Sequence, residues 1–275
     1  MKQHPVTIVA YNRPAHFARV LAAVQKYYDG PICIFVDGPK NAADVPLCTE
    51  VRRLAYQVKG AHIQTNTTNA GLRQSILDAV DETLYHYDTL MLLEDDCVPG
   101  AHFFSYMTTC LDMYQNKPEV MGISGYTIPI SEKLRASYPW DVYFVPRAGS
   151  WGWATWKRAW DWHIFDTKEV MDRLRAEGID VNRGGSDVAV YAKQVIDEGR
   201  DLWTPAWIIS VYLANGIYAY PTMSHVTNIG WDGSGVNCTK STRYETYLAT
   251  VVPRRFPLNP VTAPALSKNF RQRYK

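Results

Sequence analysis

Short apolar runs alternate with helically spaced apolar positions through the first half of the chain. Residues 5–10 (PVTIVA), 32–36 (ICIFV), 61–64 and 89–93 (TLMLL) are compact and bounded by turn residues, as strands buried in a sheet are. Between them Phe17, Val20, Leu21 and Val24 recur at the spacing of a helix face, as do Leu72, Ile76, Ala79, Val80 and Leu84. Another helix is expected over 45–58. Pro14 stands at the first position of the first helix, and Asn69 is placed to cap the third. This strand–helix alternation predicts a parallel sheet with helices on both faces. A helix carrying Phe103, Phe104, Met107, Leu111 and Tyr114 then leads to a fifth strand at 120–124.

The texture changes beyond residue 125. Six of the nine tryptophans lie between Trp140 and Trp162. Trp151 and Trp153 have strand spacing, whereas Trp153, Trp156 and Trp160 suit a helix, so a strand is expected to run into a helix there. Further helices are expected near 170–176, 187–198 and 207–214, the last ending at Asn215-Gly216. A strand at 217–220 precedes the loop 228–235 (NIGWDGSG), whose glycines allow it to close over a ligand.

Candidate chemistry gathers where the strands end. The fourth apolar run stops in Glu94, Asp95 and Asp96, three adjacent carboxylates that repel one another unless a positive partner sits among them. Hard oxygen ligands at a strand's C-terminal end suit Mg²⁺ or Mn²⁺, and open α/β sheets bind ligands there. The alternative is an acidic solvated turn. Tyr11 and Arg13 follow the first strand. Asp37 follows the second and serves either a base or ribose contact or an ordinary Asx turn. Arg73 lies in the first turn of the third helix, beside an N-terminus able to hold phosphate, or is a surface arginine. The first turn, YNRPAH, has no glycine, which argues against a Rossmann dehydrogenase. Most of the clustered tryptophans read as core, but Trp151, Gly152 and Trp153 suit a floor on which a sugar stacks.

Composition narrows the class. The chain has 275 residues, 47% hydrophobic and 20% charged, enough for one large α/β domain or two small ones. No apolar run is long enough to span a membrane, and no signal peptide is read at the start. Cys33, Cys48, Cys97, Cys110 and Cys238 form no CxxC pair, as expected of free thiols in a reducing compartment. The net charge is +2, but residues 246–275 contain no acid and carry +6, which leaves −4 on the body. Such a tail either touches an anionic membrane face or is a solvated terminus.

Taken together, AYNRPAHF (10–17), VDGPK (36–40), NAGL (69–72), LLEDDCVP (92–99), SWGWATW (150–156) and NIGWDGSG (228–235) resemble the GT-A glycosyltransferases. The chain is most similar to bacterial family-2-like sugar transferases of polysaccharide and lipopolysaccharide biosynthesis, and more distantly to the N-acetylglucosaminyltransferase I type. The resemblance implies a Rossmann-like, mostly parallel sheet in one domain over 1–240, with a nucleotide-sugar half (1–125), an acceptor half (126–240) and a basic tail (241–275). It implies a nucleotide-diphospho-sugar donor, UDP-linked, a glycan or lipid-linked saccharide acceptor, no nucleic acid, and Mn²⁺ or Mg²⁺. On the family's pattern Asp96 is the metal ligand, Asp95 lies near ribose or metal with Glu94 behind, Arg13 meets the diphosphate and Asp37 the uracil. An inverting transfer needs a catalytic base. Thr204 and Pro205 stand where the family has an acid, so Asp201 is the first candidate and Asp187 the second, with a retaining mechanism left open. The expected location is cytoplasmic, with the tail near the inner membrane face. The competing functions are a nucleotidyltransferase, which would carry a Gly-rich, Lys-containing phosphate loop, and an idle GT-A binding domain, which would lack the metal acids.

Overall fold

The computed structural model describes residues 3–235, 240–242 and 244–275. In chain order the elements are β1 (Val6–Ala10), α1 (Pro14–Tyr27), β2 (Ile32–Val36), α2 (Asp44–Tyr56), β3 (His62–Thr65), α3 (Leu72–His86) and β4 (Thr89–Glu94). There follow β5 (Cys97–Pro99), α4 (Phe103–Tyr114), β6 (Val120–Ser124), α5 (Glu132–Ala136), β7 (Val142–Val145), β8 (Trp153–Trp156), α6 (Lys157–Trp160) and α7 (Thr167–Ala176). The last are α8 (Asp187–Glu198), α9 (Thr204–Leu213), β9 (Ile217–Pro221), β10 (Val226–Asn228), a 3₁₀ turn (Gly230–Asp232) and α10 (Pro264–Arg273). Cys33, Cys48, Cys97 and Cys110 are free and buried, and Cys238 lies outside the described residues.

One eight-stranded sheet, ordered β3-β2-β1-β4-β8-β6-β9-β7, forms the frame. From β3 to β4 it is parallel, as the alternation predicts. The tryptophan strand β8 then inserts antiparallel between β4 and β6, and β7 closes the far edge antiparallel to β9. β4 pairs Val6 with Met91 and Val9 with Glu94, so the C-terminal ends of β1 and β4 lie side by side. Their turns therefore face one another. β5 and β10 form a separate two-stranded ribbon just past that point.

Two expectations differ from the structure. Asn69 does not cap α3; its side chain donates to Asp37 and to the Gly38 carbonyl. The N-cap residue is Gly71, which has no side chain to offer, and a distant carboxylate takes that role, as described below. The basic C-terminal segment is also not a solvated terminus. Its backbone reaches Ser224, Asp141 and Phe144, the last on edge strand β7 and bridged by Thr262. Covering β7 satisfies an edge that would otherwise invite pairing with other chains. Leu266 and Phe270, one turn apart on α10, are buried, and Phe270 packs edge-on against Tyr220.

Two measurements test this architecture. Phe270→Ala should cost about 3–5 kcal/mol in urea unfolding if α10 belongs to the core, and little if the segment is loosely attached. His225, stacked on Tyr106 just before β10, has its pKa lowered to about 4 by burial and then by nearby His102. Between that value and the ordinary histidine range the unfolded chain binds a proton that the folded chain refuses, so stability falls as pH falls. His225→Gln should remove that slope, gaining on the wild type by up to about 1.4 kcal/mol per pH unit below pH ~6.5. A stability difference that stays flat with pH would contradict it.

Candidate active site

The turn after β1 and the end of β4 build an acidic group around one arginine. Arg13, at the N-cap position of α1, donates through Nη2 to Oδ1 of Asp95 and to Oδ2 of Asp96 at 2.8 Å. The Tyr11 amide donates to the other Asp95 oxygen at 3.2 Å. Burial works against the charge on Arg13, but Asp95 and Asp96 more than offset it and raise its pKa. Burial pushes Glu94 up to about 8, with repulsion from Asp96 and Asp95 adding to it. Asp95 is also raised by burial, although Arg13 pulls it down. One guanidinium thus faces two buried carboxyls, Asp95 and Asp96, with the half-buried Glu94 beside them.

The loop after β10 lies directly on this group. The Ile229 amide donates to the Asp96 carbonyl at 2.8 Å, and a Cβ placed on Gly230 would fall onto Oδ2 of Asp96. Only a glycine allows so close an approach. On the same loop Asp232 pairs with His16 of α1 at 3.1 Å. Among the described residues no three His, Cys, Asp or Glu side chains converge as a ready-made metal cage. The donor chemistry of Asp95 and Asp96 nevertheless suits Mg²⁺ or Mn²⁺, which bind through one or two carboxylates and take the remaining ligands from phosphate and water. The surplus of buried negative charge is the observation that makes the fit.

Glu94 also borders a cavity of about 520 Å³. Trp151, Trp203, Trp231, Tyr126, Tyr244 and Tyr274 are prominent in its wall, and Arg147, Asp187 and Arg200 bring charge to it. Trp151 meets Tyr126, Tyr244 and Trp231 edge to face at 4.6, 5.4 and 5.8 Å, which fixes its plane. Arg147 and Asp187 form a bidentate pair at 2.6 and 2.9 Å, and the ring of Tyr274 covers the guanidinium at 4.0 Å.

The structure divides the residues expected at the site. Tyr11, Arg13, Asp95 and Asp96 come together, and Glu94, Trp151 and Asp187 border the cavity. Trp153 and Gly152 do not: Trp153 is fully buried and stacked on Trp203 at 5.3 Å. Gly152, at φ +56°, breaks the alternation that would have put Trp151 and Trp153 on one face, and a Cβ there would stand 2.9 Å from Phe103. Asp37 is engaged within the protein. Its carboxylate accepts from the amides of Gly38, Ala70 and Gly71 and from the side chains of Asn66 and Asn69 at 2.7–3.3 Å. Tyr11 is similarly tied, its hydroxyl donating to Asp44 at 2.7 Å.

Asp201 supplies the cap that Gly71 lacks. Its oxygens accept from the amides of Leu72 and Arg73 at 2.6 and 3.0 Å, filling the N-terminus of α3 that the sequence offered to phosphate. Arg73 itself donates to the Phe165 carbonyl and lies over that ring at 4.0 Å. Arg147, Tyr244 and Tyr274 had no place in the sequence expectations. Leu266, Phe270 and Tyr274 do recur every fourth residue behind Pro264, a helix signal that would have tied the tail to the body.

No protein-family model matches the chain, and no curated protein does. Among solved structures, GalNAc-T7 with UDP, GalNAc and Mn²⁺ superposes with a TM-score of 0.52 at 11% identity, covering 85% of this chain and 46% of that one. The mannosyltransferase PcManGT from Pyrobaculum calidifontis, in complex with GDP-Man and Mn²⁺, gives 0.45 at 15% identity over 78% and 70% of the two chains. TarS 1-349 of S. aureus in complex with UDP gives 0.46 at 10% identity over 82% and 60%. The chain thus spans about half the length of the GalNAc-T7 chain. Sheet order, the acid group at the end of β4 and the first of these superpositions agree: the chain has the fold of the GT-A glycosyltransferases.

Proposed function

We propose that the protein is a metal-dependent glycosyltransferase. It moves a hexosyl or N-acetylhexosaminyl group from a nucleotide-diphospho-sugar, UDP-linked, to a hydroxyl of a glycan or lipid-linked saccharide of bacterial polysaccharide. The observation that carries this is Glu94, which belongs to the buried acid group on one side and to the aromatic cavity on the other. A charged diphosphate end and a sugar-sized aromatic chamber would then meet at one residue. The solved structures named above contain nucleotides, nucleotide-sugars and Mn²⁺, which agrees with this class of donor and metal.

Asp95 and Asp96 would hold the divalent cation, Mn²⁺ or Mg²⁺, which when bound neutralises charge on a diphosphate leaving group. Arg13 keeps both carboxylates oriented and adds positive charge beside them. Trp151, held edge-on by three rings, offers its face to a sugar, and the surrounding rings keep water out. Of the two carboxylates considered for the base, Asp187 borders the cavity, whereas Asp201 acts on α3 through backbone hydrogen bonds. Asp187 is therefore our choice for the group that takes the acceptor hydroxyl's proton in an inverting transfer, with Arg147 fixing its orientation. Asp201 becomes a positioning residue.

Thermal unfolding with UDP, GDP, CMP and dTDP, with and without Mn²⁺, tests the donor. A nucleotide at about a hundred times its dissociation constant should add ~2.7 kcal/mol, a shift of several degrees. We expect UDP to give it with Mn²⁺ and not with Asp96→Ala; no shift from any nucleotide would leave an idle binding domain. Once a donor and acceptor are found, Asp187→Asn should lower kcat by about 10²–10⁴ with an unchanged UDP shift. Asp201→Ala should instead lower stability by roughly 0.5–2 kcal/mol through the lost cap and retain most of kcat. The reverse pattern would exchange their roles.

A further inference from the structure

The C-terminal segment is pinned to the body and yet turns apolar side chains outward. The Ala249 amide donates to Ser224, Asp141 accepts from the amides of Arg254 and Arg255, Tyr114 donates to the Pro257 carbonyl, and Thr262 bridges to Phe144. Phe256 packs on the core and Pro257 is buried. Along and just before these anchors Tyr247 is 89% exposed, Leu258 71%, Val261 68% and Val251 66%, with Val252 and Leu248 also exposed. These are six of the seventeen exposed large apolar residues among those described, within fifteen positions of a 275-residue chain. Trp140, partly exposed, precedes the Asp141 that holds Arg255. This concentration of exposed apolar side chains on one anchored strap is the kind of surface that a contact would cover.

The charge around this strap decides the occupant. Residues 246–275 contain six cations and no acid. Arg254 is exposed within the strap, and Lys268, Arg271 and Lys275 are exposed on or just after α10, whose opposite side buries Leu266 and Phe270. Arg255 is paired with Asp141. Apolar side chains in a segment that carries six cations and no acid match an anionic bilayer, where the former enter the interface and the latter meet headgroup phosphates.

We propose that this C-terminal layer is a docking surface for an anionic lipid membrane. The same segment supplies Tyr244 and Tyr274 to the cavity wall, so docking would hold the cavity beside the bilayer. The docking does not rest on the transferase reading: a chain that bound vesicles but gave no nucleotide shift would keep the surface and lose the proposed reaction.

The test is co-sedimentation of the full chain with vesicles of phosphatidylcholine alone, or of phosphatidylcholine with one third phosphatidylglycerol. Binding is expected to the anionic vesicles only and to weaken in high salt, as screening shortens from about 10 Å at 0.1 M to about 3 Å at 1 M. Each basic residue at such a surface is worth about fivefold in affinity, so Lys268→Ser with Arg271→Ser should weaken binding roughly 25-fold. Val251→Ser with Leu258→Ser should weaken it by about tenfold or more. Both pairs are exposed and should leave the melting temperature unchanged, and Tyr85→Ser, an exposed ring on α3, should leave binding unchanged. Absence of vesicle binding, equal binding to neutral vesicles, or undiminished binding by both double variants would overturn the proposal. So would a dimer that the Val251→Ser, Leu258→Ser chain loses, found without vesicle binding, since the face would then be a contact between copies.

Discussion

Two buried carboxyls and a half-buried third at the end of one strand, with a single guanidinium among them, set the terms for this structure. Burying even one unpaired carboxylate costs several kcal/mol, so the neighbouring chain must converge on the group. It does so because β1 and β4 are adjacent and parallel, which brings the turn carrying Tyr11 and Arg13 against the end of β4. The β5–β10 ribbon then carries Ile229 and Gly230 over Asp96. Burial, and then the neighbouring Asp96 and Asp95, hold the Glu94 carboxyl well above the usual carboxylate range.

Carboxylates elsewhere in the molecule act as staples between distant segments. Asp37 gathers amides and asparagine side chains of the 66–71 loop, Asp201 caps α3 across more than a hundred residues of chain, and Asp141 holds the amides of Arg254 and Arg255. In each case negative charge is matched by backbone N–H groups that helix or sheet bonding leaves over. The chemistry is the same as that used to hold a ligand's donors, so local sequence reads alike for either role. Whether a carboxylate faces a ligand or a loop depends on what the rest of the chain brings within about 3 Å, which local pattern does not contain.

The parallel half was legible because its signals are local. Apolar runs, helical stripes and the abrupt stop at Glu94 each lie within a few turns of chain, and the resulting elements match to within a few residues. The tryptophan region was partly legible. The strand-into-helix transition stands at β8 and α6, yet the period-2 rule failed at Gly152, whose positive φ sends Trp151 to the cavity and Trp153 to the core. β7 was missed because the run Val142–Val145 is short and acquires its partners only from β9 and from Thr262. The tail was read by its charge, although the recurrence of Leu266, Phe270 and Tyr274 carried the stronger information.

That recurrence also explains why the cavity has its shape. An open sheet of this kind ends in an edge strand, and β7 would present unpaired backbone to solvent. The C-terminal segment covers that edge, and a helix laid there must bury one face, so Leu266 and Phe270 enter the core next to Tyr220. Tyr274, one turn further on, is thereby carried onto Arg147, where its ring shields the guanidinium that orients Asp187. Edge protection and cavity closure are consequences of one packing decision. The parallel half could form its acid group without the tail, but the chamber beside Glu94 would then lack a wall and the buried ion pair would lack its cover.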